Sequence, residues 1–148
     1  MPHLIDTSAL QHYLHPQAQS KWPKLVERVD AVMSADGTLN LSAMTAYELR
    51  RGLRVLALQN RGQAKTRRAE LLLRQSVILG LGGAWSVATD IYAAAAVHKP
   101  AIVLSDGDTL IAATAFAAKY TLVTSDAKLG KNLSALGYGG QVETLRLA

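Results

Sequence analysis

The chain has 148 residues, a length that suits one domain, and its 49% hydrophobic and 18% charged residues exclude a disordered polymer. It contains no cysteine, so disulfides, cysteine-type zinc sites and thiol nucleophiles are excluded together, as expected for a reducing cytoplasm. Sixteen Lys and Arg against eleven Asp and Glu give a net charge of +5, which favours a polyanion as partner. The 5% aromatic content argues against a base-stacking platform, so a bound nucleic acid is expected to be held mainly through its phosphates.

Residues 2–6 read as a short strand, and Thr7-Ser8 as the entry to a brief helix through Leu14, with Ser8 as a candidate N-cap and Pro16 as the stop. No basic, apolar leader stands at the start, and the apolar runs at 91–97 and 110–118 are too short to span a bilayer. From Pro23, the residues Leu25, Val26, Val29, Val32 and Met33 share one face at helical spacing, and Asp36-Gly37 ends that helix. Residues 38–41 alternate as a second strand. Ser42 and Thr45 are candidate caps for a helix carrying Met44, Tyr47, Glu48, Leu53 and Leu56.

Asn60-Arg61-Gly62 is a turn signal, followed by a basic helix over 63–74 and a β-rich run over 76–81. Gly82-Gly83 breaks that run, and residues 85–97 predict an alanine-rich helix with Trp85 in the core. Pro100 separates this helix from a short apolar segment, 101–104. Residues 104–126 then give two aspartates, Asp106 and Asp108, a small-residue helix, a strand over 120–124, and a third aspartate, Asp126. Residues 141–147 alternate as a last strand. Strands alternating with helices predict an α/β layer architecture with a mainly parallel sheet, in one domain spanning 1–148. In such sheets function sits at the carboxyl ends of the strands.

Asp6 and Asp126 both follow predicted strands. Each has an ordinary structural explanation: an aspartate there makes a helix cap or an Asx-turn, and Glu48 has Arg51 within ion-pairing reach on its own helix. Asp108 near a helix start is favoured by the helix dipole. In combination they say more. Strand-end geometry directs several carboxylates at one crevice, and two of them ~4 Å apart repel by about 4 kcal/mol at an effective dielectric near 20. A hard divalent cation, Mg²⁺ or Mn²⁺, relieves that repulsion and activates water near a phosphoryl oxygen. A basic protein with an acidic metal cleft points to phosphodiester hydrolysis. His12 and His15 form no zinc motif. Gly80-Leu81-Gly82-Gly83 lacks the third glycine of a dinucleotide fingerprint, and Gly130-Lys131-Asn132 is not a phosphate loop. The basic helix, with Arg61, Lys65, Arg67, Arg68 and Arg74, reads either as a solvated face or as an RNA track.

Three segments carry a resemblance: LIDTSAL at 4–10, LSAMTAYELRRG at 41–52 and GDTLIAATAFAAKYTLVTSD at 107–126. In that order and spacing the chain resembles PIN-domain ribonucleases, in particular the VapC-type toxins of type II toxin–antitoxin pairs. The resemblance implies an α/β/α sandwich, a homodimer, an Mg²⁺- or Mn²⁺-dependent endoribonuclease activity on RNA, and inhibition by a cognate antitoxin. It places the catalytic and metal-binding acids at Asp6, Glu48, Asp108 and Asp126, with the hydroxyls of Ser8 and Thr124 close by. Asp108, not Asp106, matches the acid before the LIAATA helix. Two rivals remain. One is a haloacid-dehalogenase-type phosphotransferase with Asp106 as nucleophile, whose motif fails at Leu110. The other is a non-catalytic module that binds RNA or a protein partner, its acids serving as caps and salt bridges.

Overall fold

The computed structural model describes residues 1–147. Its strands are short and pair in parallel: β1 (His3–Ile5), β2 (Asn40–Ser42), β3 (Val77–Leu79), β4 (Thr121–Thr124) and β5 (Val142–Thr144). One ladder runs β1-β4-β5 and a second runs β2-β3. The two ladders lie edge to edge through β1 and β2. On the β1 edge that faces away from β4, the Asp36 carboxylate accepts from the His3 N–H at 2.8 Å. The Asn40 amide donates to the His3 carbonyl at 3.0 Å. These side chains replace a backbone ladder at that seam.

The helices are α1 (Thr7–Leu14), α2 (Ala18–Lys21), α3 (Pro23–Asp36), α4 (Ala43–Leu58), α5 (Gln63–Gln75), α6 (Trp85–Val97), α7 (Asp106–Ala117) and α8 (Ala127–Leu133). Strand pleating sends alternate side chains to opposite layers. Ile5, Leu41 and Val123 pack with the apolar faces of α1, α3, α4 and α5. Leu4 and Leu122, their chain neighbours, pack with α6, α7 and α8. This is an α/β/α sandwich with two cores. Small residues let α7 approach closely: Ala112, Ala113 and Ala115 have no exposed surface. Its buried Thr114 hydroxyl meets the Ser42 hydroxyl at 3.0 Å.

From β1 the chain builds outward through β2 and β3. It then returns to the other side of β1 for β4 and β5. The order therefore reverses between β1 and β4, where a parallel sheet opens a crevice at its carboxyl ends. Asp6 follows β1, and Ser125 and Asp126 follow β4.

Several element boundaries move from the sequence expectation. The N-cap of α1 is Asp6, whose carboxylate accepts from the Ala9 N–H; Ser8 lies inside the helix. The second strand occupies 40–42 rather than 38–41, because Ser42 must end it to cap α4. The runs at 76–81 and 141–147 shorten to three-residue strands. The segment after Asp126 is not just a turn but α8, and residues 134–141 form single helical turns kinked at Gly137 (φ 95°). Trp85 is 56% exposed rather than core. No helix among the described residues is long and apolar enough to cross a membrane.

Candidate active site

Asp6 leaves β1 and starts α1, and it is 3% exposed. Its Oδ1 accepts from the Ala9 N–H at 2.9 Å and from the Ser8 hydroxyl at 2.8 Å. The Thr124 hydroxyl, at the end of β4 and 3.2 Å from Ser8 Oγ, also favours the charged form of Asp6. Burial nevertheless dominates. It pushes the carboxyl up to about 6, the hydrogen bonds pull the other way, and the charge of Asp108 adds to the rise. The helix-capping explanation and the functional one thus apply to the same side chain.

Glu48 is held by three elements. The Thr7 hydroxyl donates to Oε1 at 2.7 Å, and Arg51 reaches Oε2 at 3.7 Å. Gly107, in the first turn of α7, sits so close that a Cβ there would lie 2.8 Å from Oε2. The next residue, Asp108, is half-buried. Its carboxyl is raised by burial, lowered by a hydrogen bond with Ser105, and raised again by the charges of Asp126 and Glu48. Ser105 also caps α7, its hydroxyl accepting from the Asp108 N–H at 3.1 Å.

Asp126 caps α8, accepting on Oδ1 from the Lys128 and Leu129 N–H groups at 3.0 and 3.1 Å. A hydroxyl network fills the space between β1 and β4. Ser8 Oγ and Thr124 Oγ1 are 3.2 Å apart, Ser125 donates to Ser8 Oγ at 3.2 Å, and His12 Nδ1 lies 2.7 Å from Ser125 Oγ. Thr7, Ser125 and His12 were not legible as site residues. Only their nearness to Asp6 and Asp126 in sequence hinted at them.

The charge of Asp108 acts on Asp6, and the charges of Asp126 and Glu48 act on Asp108, each a smaller effect than burial. Among the described residues, no three acid or imidazole side chains are drawn together into a closed metal cage. The donor chemistry still fits a hard cation. Every candidate ligand is a carboxylate oxygen, two of the four are pushed toward their neutral forms, and several hydroxyls fix their orientation. Asp106 stands apart, exposed in a cleft of about 350 Å³ with Trp85, Thr89 and Tyr92. It begins a helix and follows no strand, because residues 101–104 form none. That placement removes the basis for Asp106 as the nucleophile of a phosphotransferase.

A family profile described as PIN domain matches residues 3–132. No curated protein matches the sequence. The structure is similar to VapBC2 from Rickettsia felis bound to a DNA fragment from their promoter, at 18% identity and a TM-score of 0.70, covering 97% of this chain and 98% of that one. It is similar to VapBC-1 from nontypeable Haemophilus influenzae at 20% identity and a TM-score of 0.69, with coverages of 97% and 98%. FitAcB from Neisseria gonorrhoeae gives 24% identity and a TM-score of 0.67, with coverages of 98% and 97%. At such identities the likeness is one of fold.

Proposed function

Because the chain belongs to the PIN domain family, we propose that it is a metal-dependent endoribonuclease, the toxin of a toxin–antitoxin pair, acting through Asp6, Glu48, Asp108 and Asp126. The observation that carries this reading is the placement of a buried Asp6 where the strand order reverses, with Asp108 near enough for its charge to add to the rise of the Asp6 carboxyl, and Glu48 and Asp126 near enough to act on Asp108.

Asp6, Glu48, Asp108 and Asp126 would hold the cation, Mg²⁺ or Mn²⁺ by their all-oxygen character. The chemistry such an ion supplies is a more acidic water and charge stabilisation on a phosphoryl oxygen. The chain's own residues set the geometry. Ser8, Thr124 and the Ala9 N–H fix the Asp6 carboxylate. Thr7 and Arg51 orient Glu48 from opposite oxygens. Lys128 and Leu129 N–H groups hold Oδ1 of Asp126. Exposed Arg50, Arg51 and Arg54 on α4 supply positive charge for phosphates near this acidic centre.

The same reading gives the chain a cognate antitoxin, a second copy of itself as partner, and a cytoplasmic location. The similar VapBC and FitAB structures support the antitoxin. The exposed Trp85, Tyr92 and Val103 beside α6 and α7 supply apolar surface for association. The test is incubation of the purified protein with cellular RNA and Mn²⁺, followed by sequencing of the ends. Wild type yields discrete new ends and Asp6→Ala does not. Equal cleavage by both proteins overturns the site.

A further inference from the structure

Beside Glu48, the outer face of α4 and the edge strand β3 enclose a cleft of about 470 Å³ that meets the acidic site through Arg51. It is lined by Ala43, Ala46, Tyr47, Arg50, Arg51 and Ile78. Tyr47 is 56% exposed and Ile78 39% exposed. The Arg51 guanidinium carbon lies 5.3 Å from the Tyr47 ring centroid, while the same guanidinium stands 3.7 Å from Glu48 Oε2. The lining thus carries two guanidinium groups, one exposed aromatic ring and no carboxylate.

Each part has a separate meaning. Arg50 has no acidic partner among the described residues and Arg51 is only loosely paired with Glu48, at 3.7 Å, so the lining favours an anionic occupant. Arg51 lies over one face of the half-exposed Tyr47 ring, a cation–π contact that leaves the other face to stack a base. Alanines at 43 and 46 keep the floor low enough for a flat group to enter. Tyr47 adjoins Glu48 in sequence, and Arg51 reaches both the Tyr47 ring and the Glu48 carboxylate, which joins the cleft to the acids. A protein partner with an apolar anchor would fit the ring and Ile78 but not the paired guanidiniums.

We propose that this cleft seats one unpaired base of an RNA strand, stacked on Tyr47, with a phosphate on Arg50 or Arg51, next to the bond that is cut. The proposal rests on the nuclease reading above. It makes Tyr47 a specificity-determining residue for single-stranded over duplex RNA, since a paired base cannot reach the ring. One stacking position is compatible with the low aromatic content of the chain, which excludes a platform and not a single seat.

The test is the affinity of wild type, Tyr47→Ala and Tyr47→Trp for a labelled oligoadenylate, followed by fluorescence anisotropy with Ca²⁺. An abasic ribose-phosphate oligomer of the same length and charge is the control, and Mn²⁺-dependent cleavage by wild type is measured in parallel. Tyr47 is exposed, so each variant is expected to keep the wild-type melting temperature. Oligoadenylate binding should weaken about tenfold in Tyr47→Ala and survive in Tyr47→Trp, while abasic binding stays unchanged. In cleavage the loss should fall on KM. Wild-type cleavage with equal oligoadenylate affinity in Tyr47→Ala overturns the base seat and leaves the nuclease standing. So does a loss that is equal for the abasic oligomer. A Tyr47→Ala effect confined to self-association assigns the cleft to a protein partner and also overturns the seat. Wild type that neither binds nor cuts RNA removes both readings.

Discussion

Glu48 and Gly107 are in contact across two helices: a Cβ on residue 107 would stand 2.8 Å from Glu48 Oε2 and 3.4 Å from Met44 Cε. The nearest obstacle is the end of a flexible side chain, so Gly107→Ala is expected to displace the carboxylate rather than the helices. Alanine also gains up to about 1 kcal/mol of helix propensity over glycine. The expected result is an unchanged or slightly raised melting temperature together with roughly 10–100-fold weaker Mn²⁺ binding, the size of effect seen when a ligand loses its orientation. Calorimetric titration with Mn²⁺ measures it. Unchanged affinity would show that Glu48 is not a ligand in this position.

Gly130 behaves differently. It lies on α8 against β5, and a Cβ there would overlap Thr144 Oγ1 and stand 3.3 Å from Thr144 Cβ. A β-branched side chain on a strand cannot swing freely away. Gly130→Ala is therefore expected to destabilise by about 1–3 kcal/mol through overpacking. Its Mn²⁺ affinity should match wild type below the melting transition. Denaturant unfolding reads the first effect, and the same titration as above reads the second.

Asp106 and Asp108 are two residues apart at the start of one helix and separate cleanly by environment. Asp108 carries the charges of Asp126 and Glu48 on its titration, whereas Asp106 lines the cleft against α6. Asp108→Asn should lose RNA cleavage by several orders of magnitude, a loss on the scale of catalytic groups rather than of caps. Asp106→Asn should stay within about twofold of wild type, as a surface change away from the site does. Initial rates with Mn²⁺ decide it. A greater loss in Asp106→Asn would reverse the assignment.

Much of this was legible because the local signals agree with the global fold. Residues 85–97 carry helical composition between a Gly-Gly break and His98, and α6 occupies those residues. Asp6, Ser42 and Asp126 stand at or just after strand ends and cap the helices that follow, so each strand end and the next helix cap lie within two residues of each other. What the sequence concealed depends on contacts between distant segments. The Thr7–Glu48 hydrogen bond joins residues 41 apart, and the His12–Ser125 contact joins residues 113 apart. No periodicity reports such pairs. Trp85 was misplaced for a related reason: apolar character predicts burial only on the helix face that meets a neighbour, and this one does not.

Asp6 also predicts a pH dependence with a definite sign. Its carboxyl is raised from 3.8 to about 6, chiefly by burial. Between those values the native state holds a proton that the unfolded chain has released. Without metal, the contribution of Asp6 to stability therefore falls as pH rises from about 4 to 6 and is level above, a change of about 3 kcal/mol. Asp6→Asn keeps the cap, since asparagine is as good an N-cap as aspartate, and abolishes this titration. In EDTA, the stability of Asp6→Asn relative to wild type should climb through that window and plateau near neutrality. Subtracting the two curves cancels the groups that do not feel Asp6 and leaves its own titration together with its interaction with Asp108. A divalent ion requires the ionised carboxylate, so its stabilisation of wild type should grow across the same pH range and be much smaller in Asp6→Asn. Thermal melts at half-unit pH steps, with EDTA and with Mn²⁺, measure both. A flat difference curve would mean that water reaches Asp6 and that burial does not govern its charge.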